Sequence, residues 1–487
     1  QDNTTGSHNT AVGVRSLGNQ QTADYNTAIG SYSGNGSRLT GDSNTMGGYN
    51  TMLATTTGTG NAAWGRDSLL VNVSGDYNTA IGFQALDGNT SANENVAVGK
   101  NALSGNTTAT PNTAVGTDSG PALTTGSYNT VMGYHALKTA TTAQKNVAIG
   151  HEAGYAVTDS EGHTCVGYGA GAAITTGDYN TCIGSWAGDA ITTGSYNDCF
   201  GKSAGSAITT GLYNVCIGNS AGTSTTTQSY NTYIGQGAGQ SNAEQLNVAL
   251  GFHANGAGNG GTNIVCLGAR AGYGNNAGGN GNLYTGYHTG YYVTTGDDNT
   301  MLGNVAGIAS GPGTALTTGH RNVLVGANMD CSAADVDDEV VMGSGGLSGG
   351  NPVGLVGKGT DTAFISANGG GNYAGNNSAS WSTTSDRRIK KNITDNNIGL
   401  TEINQIQVRN FEYRLPEEVD AELPSHSAID KKGVQTGVIA QEVMDILPDI
   451  VKQESTGCYS VDPDNITWYL VKAVQELTAR IEELEGE

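Results

Sequence analysis

Ser385 and Lys390, five residues apart, are of the residue types that can act together as a nucleophile and its base. A serine hydroxyl is a weak nucleophile until a neighbouring base takes its proton, and a lysine acts as that base only where burial lowers its pKa toward neutrality. Five residues of separation allow a turn to bring the lysine back toward the serine. Spacing alone does not establish this chemistry, because solvated surface charge is the ordinary role of Arg387, Arg388, Lys390 and Lys391.

Four cysteines share one position of a 17-residue period: Cys165, Cys182, Cys199 and Cys216. On successive turns of a repeating structure they would stack on one another. We interpret them as small apolar core side chains. Disulfides and metal ligation are the alternatives, although metal sites usually combine cysteine with histidine at short spacing and disulfide-rich domains distribute their cysteines differently.

Tyrosines with the same period predict an aromatic column: Tyr179, Tyr196, Tyr213 and Tyr230. Aromatic faces can stack on sugar rings, so a glycan contact is one interpretation. A regular ladder at a corner of the repeat is more often structural, and we favour that interpretation.

The acidic residues do not form an obvious catalytic pair. A glycan-cleaving site needs two carboxylates about 5–10 Å apart across a groove, whereas those of the repeats are scattered: Asp118, Glu152, Asp159, Asp189 and Asp198. We interpret a denser acidic group as a solvated loop, with Ca²⁺ binding as the alternative. This group consists of Asp335, Asp337, Asp338 and Glu339. The histidines are dispersed, and we expect no cofactor and no metal.

A regular repeat must position these residues. Asparagines recur almost always 17 residues apart, each with a glycine four residues later: Asn26, Asn44, Asn61, Asn78, Asn95, Asn112, Asn129, Asn146, Asn180, Asn197, Asn214 and Asn231. A fixed period of this length is the signature of a solenoid, and about 18 turns are expected between Asn9 and Asn322. Irregular spacings at Asn247, Asn263, Asn282 and Asn322 predict bulges or loops.

Each unit is expected to contain two short strand-like pieces separated by glycine turns. In the first piece, Thr79 and Ile81 face one side and Ala80 the other. We attribute the recurring asparagine to a corner with positive φ, which asparagine tolerates better than most residues. A turn of this size would leave its Ile/Val/Met column exposed in a single chain, whereas three parallel copies would bury it.

Composition separates two regions. The chain has 487 residues, only 36% of them apolar, and of its 76 glycines only 5 follow residue 385. The net charge of −22 argues against nucleic acid as a partner. We found neither a membrane-crossing segment nor a signal peptide, and the start at Gln1 led us to expect a fragment or processed form whose N-terminal attachment part is missing.

After residue 385, several segments resemble a known family in order and spacing: 385–393, 399–404, 411–413, 437–443 and 448–451. They resemble the intramolecular chaperone domain of endosialidase-type phage tailspikes and tail fibres, a self-cleaving serine–lysine peptidase. The resemblance implies that the domain drives trimerisation and then cuts the Ser385–Asp386 bond, with Ser385 as nucleophile and Lys390 as base. Lys391 is the second candidate for the base.

The repeat region resembles the left-handed β-roll heads of trimeric autotransporter adhesins and the glycine-rich shafts of phage tail fibres. At the other end, apolar residues spaced alternately by four and three predict a helical seam: Leu470, Val474, Leu477, Ile481 and Leu484. This spacing is typical of a parallel helical bundle, although the seam covers only about two and a half heptads.

The predicted fold is mostly β. Residues 1–334 form a trimeric parallel β-solenoid, 335–384 form degenerate β units and a linker, and 385–487 form a small α+β chaperone domain that ends in a coiled-coil helix. The predicted protein is a homotrimeric tail fibre or spike subunit of a virion that acts outside the cell. Its only catalysis is one self-cleavage per chain.

The expected partners are a host cell-surface receptor, with a glycan as one candidate, and other tail or virion proteins. Neither nucleic acid nor membrane insertion is expected. The alternatives are a cellular trimeric adhesin and a glycan-degrading tailspike with its active site on the shaft.

Overall fold

The structure is a computed structural model of the chain. It describes residues 4–36, 38–257, 261–274, 279–306, 316–348, 351–353, 355–367, 370–375, 382–383, 387, 390–415, 418, 433–453 and 457–486. The chain divides into two compact units, residues 1–384 and 385–487.

The first unit is a parallel β-solenoid, and each of its turns, here called a rung, contributes one short strand. The regular strands are β1 (Thr10–Val12), β2 (Thr27–Ile29), β3 (Thr45–Gly47), β4 (Ala62–Trp64), β5 (Thr79–Ile81), β6 (Val96–Val98), β7 (Thr113–Val115), β8 (Thr130–Met132), β9 (Val147–Ile149), β10 (Thr164–Val166), β11 (Thr181–Ile183), β12 (Asp198–Phe200), β13 (Val215–Ile217), β14 (Thr232–Ile234), β15 (Val248–Leu250), β16 (Val265–Leu267), β17 (Leu283–Thr285), β18 (Thr300–Leu302) and β19 (Val323–Ala327). Each pairs in parallel with the next, so the predicted solenoid is confirmed.

The parallel series continues beyond residue 334. β21 (Val340–Ser344) pairs with β19, and β25 (Thr362–Ala367) pairs with β21. β26 (Gly370–Gly375) and β27 (Ser382–Thr383) then add antiparallel strands. Short pairs lie beside this series: β20 (Met329–Asp330) with β24 (Leu355–Val356), and β22 (Gly346–Ser348) with β23 (Asn351–Val353).

The expectation of two strand-like pieces per unit was wrong, because each rung from β1 to β18 has a single three-residue strand and turns or bends elsewhere. The second piece still links the rungs through threonine. Thr192 donates its backbone N–H and its hydroxyl to the carbonyl of Thr209, at 2.9 and 3.1 Å. Positive φ angles interrupt the rest of the turn, as at Trp186, so the extended conformation cannot spread.

Alternation within the strand decides what is buried. Ala80 lies fully inside and Ile81 is 43% exposed, so the predicted facing is confirmed. The core consists mainly of small residues from the strand centres and Leu or Ile from the turns, such as Leu86 and Ile191. The large apolar residue that follows the buried centre of most strands therefore faces outward.

The recurring asparagines are buried and link each rung to the next. The backbone N–H of Asn197 donates to Oδ1 of Asn180 at 3.0 Å, and its side-chain amide donates to the carbonyl of Gly211 at 2.9 Å. Our explanation by positive φ was wrong, because these asparagines are absent from the positive-φ residues. That conformation belongs to the residue before most of them, for example Tyr196 at 59°, with Pro111 before Asn112 as an exception. Asparagine is selected for its side-chain hydrogen bonds.

Glycine is required where rungs approach most closely. Gly82 has φ of 139°, and a Cβ there would lie 2.4 Å from the carbonyl oxygen of Gly99. No L side chain fits such a position without displacing backbone. The same constraint recurs on every regular rung, which explains the glycine four residues after the asparagine.

A few rungs depart from the asparagine rule. His163 takes the asparagine position: its N–H donates to Oδ1 of Asn146, and its Nδ1 accepts the N–H of Asn180 at 3.2 Å. Ile264, rather than the predicted Asn263, occupies the position further on. Glu339 ends the series, donating its N–H to Oδ1 of Asn322 at 2.9 Å.

Replacing one buried ladder asparagine is expected to weaken the rungs beside it. Asn197→Ala leaves the N–H of Asn214 and the carbonyl of Gly211 without their side-chain partners. We expect a local loss of roughly 2–4 kcal/mol, since each unsatisfied buried group costs about 1–3 kcal/mol. Hydrogen exchange of rungs 180–214 should report this loss, while Asn219→Ala, at an exposed position, should change little. Equal protection in the two variants would contradict the structural role.

His163 makes the solenoid sensitive to acid. Burial lowers the pKa of His163 to about 4, below the ordinary 6.5. The unfolded chain therefore binds more protons between pH 6.5 and 4, so stability is full above this window and falls by about 1.4 kcal/mol per pH unit within it. His163→Asn, which restores the regular ladder residue, should remove this dependence. Thermal unfolding of both proteins from pH 7 to 4 tests it, and parallel melting curves across the range would refute it.

Candidate functional site

The C-terminal unit is a small α+β domain. It contains α1 (Leu400–Ile403), β28 (Arg409–Phe411), β29 (Gln435–Gly437), α2 (Ala440–Met444), a 3₁₀ turn (Pro448–Ile450), β30 (Val451–Gln453), β31 (Tyr459–Val461) and α3 (Pro463–Glu485). β28 pairs antiparallel with β29, and β30 with β31. Val443, Leu447 and Ile450 form the buried centre of the domain.

Polar contacts hold the first turn of this domain against the last helix. Glu476 on α3 accepts the backbone N–H of Leu400 at 2.9 Å, and Glu402 accepts that of Gly399 at 3.0 Å. Two N–H groups at the start of α1 are thereby satisfied by carboxylates, which the positive end of a helix favours. Ile466 and Tyr469 of α3 pack against the buried centre, so α3 is an integral part of the domain.

Ser385 and Asp386, the predicted nucleophile and scissile bond, lie outside the described residues. Lys390 is described: its backbone N–H donates to the carbonyl of Arg387 at 3.2 Å, which closes a turn, and its side chain is exposed. Lys391 is exposed as well. The described part of a single chain thus supplies the turn but not the burial that a lysine base requires, and the serine–lysine pair remains a prediction.

The predicted seam of α3 is confirmed as a continuous apolar stripe on a 23-residue helix. All of its residues are exposed in the single chain: Leu470, Val474, Leu477, Ile481 and Leu484. Residues spaced by four and three lie on one face of a helix. This face of α3 therefore has no cover from the described residues of its own chain.

The solenoid carries a comparable exposed surface, here called the outer column. It consists of the residue that follows the buried strand centre on many rungs, all in one register position. Its most exposed members are Val12, Ile29, Trp64, Ile81, Met132, Phe200, Ile217, Leu250, Met342 and Ile365. The column recurs from β1 to β25. An apolar surface that is repeated along so many rungs is unusual for a chain that stays alone in water.

The cysteine column is structural. Cys165, Cys182, Cys199 and Cys216 are paired in register on successive strands, and all four are buried free thiols. An apolar environment disfavours the thiolate that metal binding and disulfide exchange require. The interpretation as core side chains is confirmed.

The tyrosine column is also present. Rings of Tyr179, Tyr196, Tyr213 and Tyr230 are stacked with centroids 5.4, 4.9 and 5.3 Å apart and nearly parallel planes. The inner faces are covered by neighbouring rings, and Tyr179 also lies against Gly162. Faces that a sugar ring would need are therefore occupied, which favours the structural interpretation.

The acidic group near residue 337 is divided among separate partners. Asp337 accepts the N–H of His320 at 2.7 Å, and Asp338 forms an ion pair with Arg321 that lowers the pKa of this carboxyl. Glu339 is buried instead. Its carboxylate accepts the N–H groups of Ser332 and Gly359, at 3.0 and 2.7 Å. These carboxylates do not converge on one point.

Two absences hold for the part of the chain that the structure describes. No three His, Cys, Asp or Glu side chains in it are grouped to hold a metal ion. None of its helices has the length and apolar character that a bilayer crossing requires.

Sequence reasoning missed a second ladder on the solenoid. The side chain just before the positive-φ residue accepts a backbone N–H group from the preceding rung. The N–H of Thr59 donates to Oδ1 of Asp76 at 2.7 Å, and the N–H of Asp178 donates to the hydroxyl oxygen of Ser195 at 3.0 Å. The signal was present in the sequence, because Ser, Asp, Asn or Thr commonly occupies this position. It was overlooked because short polar residues in turns are ordinarily read as solvated.

Together the two units define a fibre-like class of protein: a long repetitive β-solenoid followed by a small domain with an exposed helical seam. Residues 385–452 match the family model described as chaperone of endosialidase. The match begins at the predicted nucleophile and, with the solenoid, fits a tail fibre that carries a C-terminal chaperone. Searches of curated proteins and of solved structures returned no match.

Removing the carboxylate that joins α1 to α3 should loosen the C-terminal domain. Glu476→Ala leaves the N–H of Leu400 without its partner, and we expect a loss of roughly 1 kcal/mol, the usual cost of losing a helix cap. Hydrogen exchange at residues 399–404 measures it. Glu482→Ala on the exposed part of α3 is the matched control, and equal exchange in the two variants would disprove the role of Glu476.

Proposed function

We propose that the chain is a subunit of a homotrimeric tail fibre or spike of a virion. The solenoid spans the distance to a host surface and presents its loops to a receptor there. The C-terminal domain gathers three chains, promotes the assembly of the shaft and then releases itself by cutting its own chain.

One observation carries this proposal: both units expose a repeating apolar stripe, which is the outer column on the solenoid and the seam on α3. The outer column repeats once per rung, whereas the seam repeats alternately every four and every three residues. Parallel copies in equal register would bury both at once, since the residues of each rung or heptad then meet their equivalents. The chaperone-of-endosialidase match independently favours a trimer.

The proposed cleavage uses the chain's own residues. The Lys390 amine takes the proton of the Ser385 hydroxyl, whose oxygen attacks the carbonyl carbon of the scissile bond. The resulting ammonium gives that proton to the departing amine of Asp386, which leaves an ester that water then hydrolyses. Hydrolysis of the Ser385–Asp386 peptide bond consumes one water molecule. It leaves a carboxylate on Ser385 and a free amine on Asp386.

Because Lys390 is exposed in the single chain, we place cleavage after assembly. A lysine acts as a base only as the neutral amine, which burial favours, so we expect the pair to become competent only after the lysine is enclosed. Cleavage before assembly would release the domain that gathers the chains. Enclosure that follows association would give the correct order.

Denaturing gels of wild type beside Ser385→Ala and Lys390→Ala test the proposal. Wild type should give an SDS-resistant trimer without boiling and, after boiling, a shortened chain that ends at Ser385. Both variants should form the trimer yet keep residues 386–487.

Lys391→Ala is the matched control, because it removes a neighbouring charge and should leave cleavage unchanged. Cleavage that persists in both Ser385→Ala and Lys390→Ala would exclude this pair. A wild-type chain that sediments as a folded monomer would exclude the fibre.

A further inference from the structure

The outer column repeats too regularly to fix how far one copy slides along the next. On neighbouring rungs, Ile81, Val98 and Val115 occupy the same register position. A shift of one rung replaces one aliphatic contact with another and changes the buried apolar surface little. Register is weakly specified where the side chains of a face do not distinguish it. Three copies in equal register therefore need contacts that differ from rung to rung.

One charged residue lies on the outward face of the strands. Asp198 opens β12 between Thr181 and Val215, and the next residue, Cys199, is buried, so Asp198 points away from the core. The outward positions of every other strand in the series β1 to β19 carry uncharged residues. Burial of this face between copies would remove a carboxylate from water, which is costly unless a positive group pairs with it.

Charges of opposite sign lie on the two sides of the strand on two rungs. On the rung of β12, the exposed Lys202 follows the strand that Asp198 opens. On the rung of β6, the exposed Glu94 precedes the strand and the exposed Lys100 follows it. None of these four side chains forms an ion pair with another residue in the described part of the chain. A strand about 10 Å long keeps the two charges of each rung apart.

A threefold arrangement brings opposite sides of neighbouring strands together. Where each copy turns its outer column toward a common parallel axis, residues before the strand in one copy lie beside residues after the strand in the next. The rung of β9 fits with the signs exchanged, since Lys145 precedes its strand and Glu152 follows it, although Lys145 also pairs with Glu161 at 3.0 Å. We compared the two residues before the ladder position with the two after the strand's glycine. No rung from β1 to β19 has Asp, Glu, Lys or Arg of one sign on both sides.

We propose that a second copy of this chain supplies the missing partners and that these ion pairs fix the solenoids in equal register. Lys202 of each copy pairs with Asp198 of the next, and Lys100 of each copy pairs with Glu94 of the next. This inference rests on the proposed trimer and adds the contacts that align it. A slip of one rung in either direction would break both pairs, because the rungs next to β6 and β12 carry no Lys or Arg after their strands. The charges thus select one alignment among several that the apolar surface alone would accept.

Carbodiimide crosslinking of the full chain tests the proposed pairs directly. The reagent joins a carboxylate to an amine only where the two are in contact, so boiled denaturing gels should show chains linked in twos and threes. Mass spectrometry of these bands should find Asp198 joined to Lys202 and Glu94 joined to Lys100. Glu94→Gln, which keeps the size of the side chain, should abolish the second link and leave the first.

Charge reversal measures what the pairs contribute to assembly. Lys100→Glu places two carboxylates together and should lower the yield of SDS-resistant trimer several-fold at low salt, where charge repulsion is least screened. Glu94→Lys combined with Lys100→Glu exchanges the signs, as on the rung of β9, and should restore the yield. Lys138→Glu is the matched control, because it makes the same charge change in the turn beyond the buried Leu137, outside both sides of the strand.

Sedimentation of the same samples separates this proposal from the one it rests on. A trimer without either crosslink, or one linked between different rungs, would overturn the proposed pairs and leave the fibre standing. A reversed variant that assembles as well as wild type, or an exchanged variant that does not recover, would also overturn them. A monomer would overturn both proposals.

Discussion

The solenoid depends on hydrogen bonds that satisfy the buried amide groups of its ladder asparagines. Oδ1 of Asn180 accepts both the backbone N–H and the side-chain amide of Asn197, and the pattern continues from Asn197 to Asn214. A buried unpaired amide costs more than a hydrogen bond returns. Each rung therefore needs its neighbour in the correct register, and the asparagine recurs on almost every rung for this reason, even where the rung is longer, as between Asn299 and Asn322.

The same narrow turn limits how much a single chain can bury. Its interior holds mainly Ala, Cys, Leu and Ile side chains, with a few larger ones such as Tyr233 and Tyr284. Successive side chains of a strand point to opposite faces, so the residues on either side of the buried strand centre face outward. The exposed outer column is thus a consequence of this alternation, and association of copies is the physical remedy that we propose for it.

An assembly of this kind has a kinetic difficulty that the C-terminal domain can relieve. Pairing between separate chains must offset the entropy of bringing them together before any contact is gained. A domain that joins the chain ends raises their local concentration and makes later steps intramolecular. Release of that domain after assembly would leave a shaft that, once unfolded, has no domain to reassemble it. Such a shaft would persist because it unfolds slowly.

The sequence by itself determined the solenoid, its period, the inward side of each strand and the helical seam, because these follow from spacing that is visible residue by residue. It also located the chaperone-like segment, since several short motifs occur there in the order and spacing of the family that they resemble. Only the tertiary structure decided why asparagine recurs, because backbone N–H and carbonyl partners a full rung away do not appear in a linear pattern. For the same reason, it alone showed that His163 and Glu339 occupy the asparagine position on their rungs.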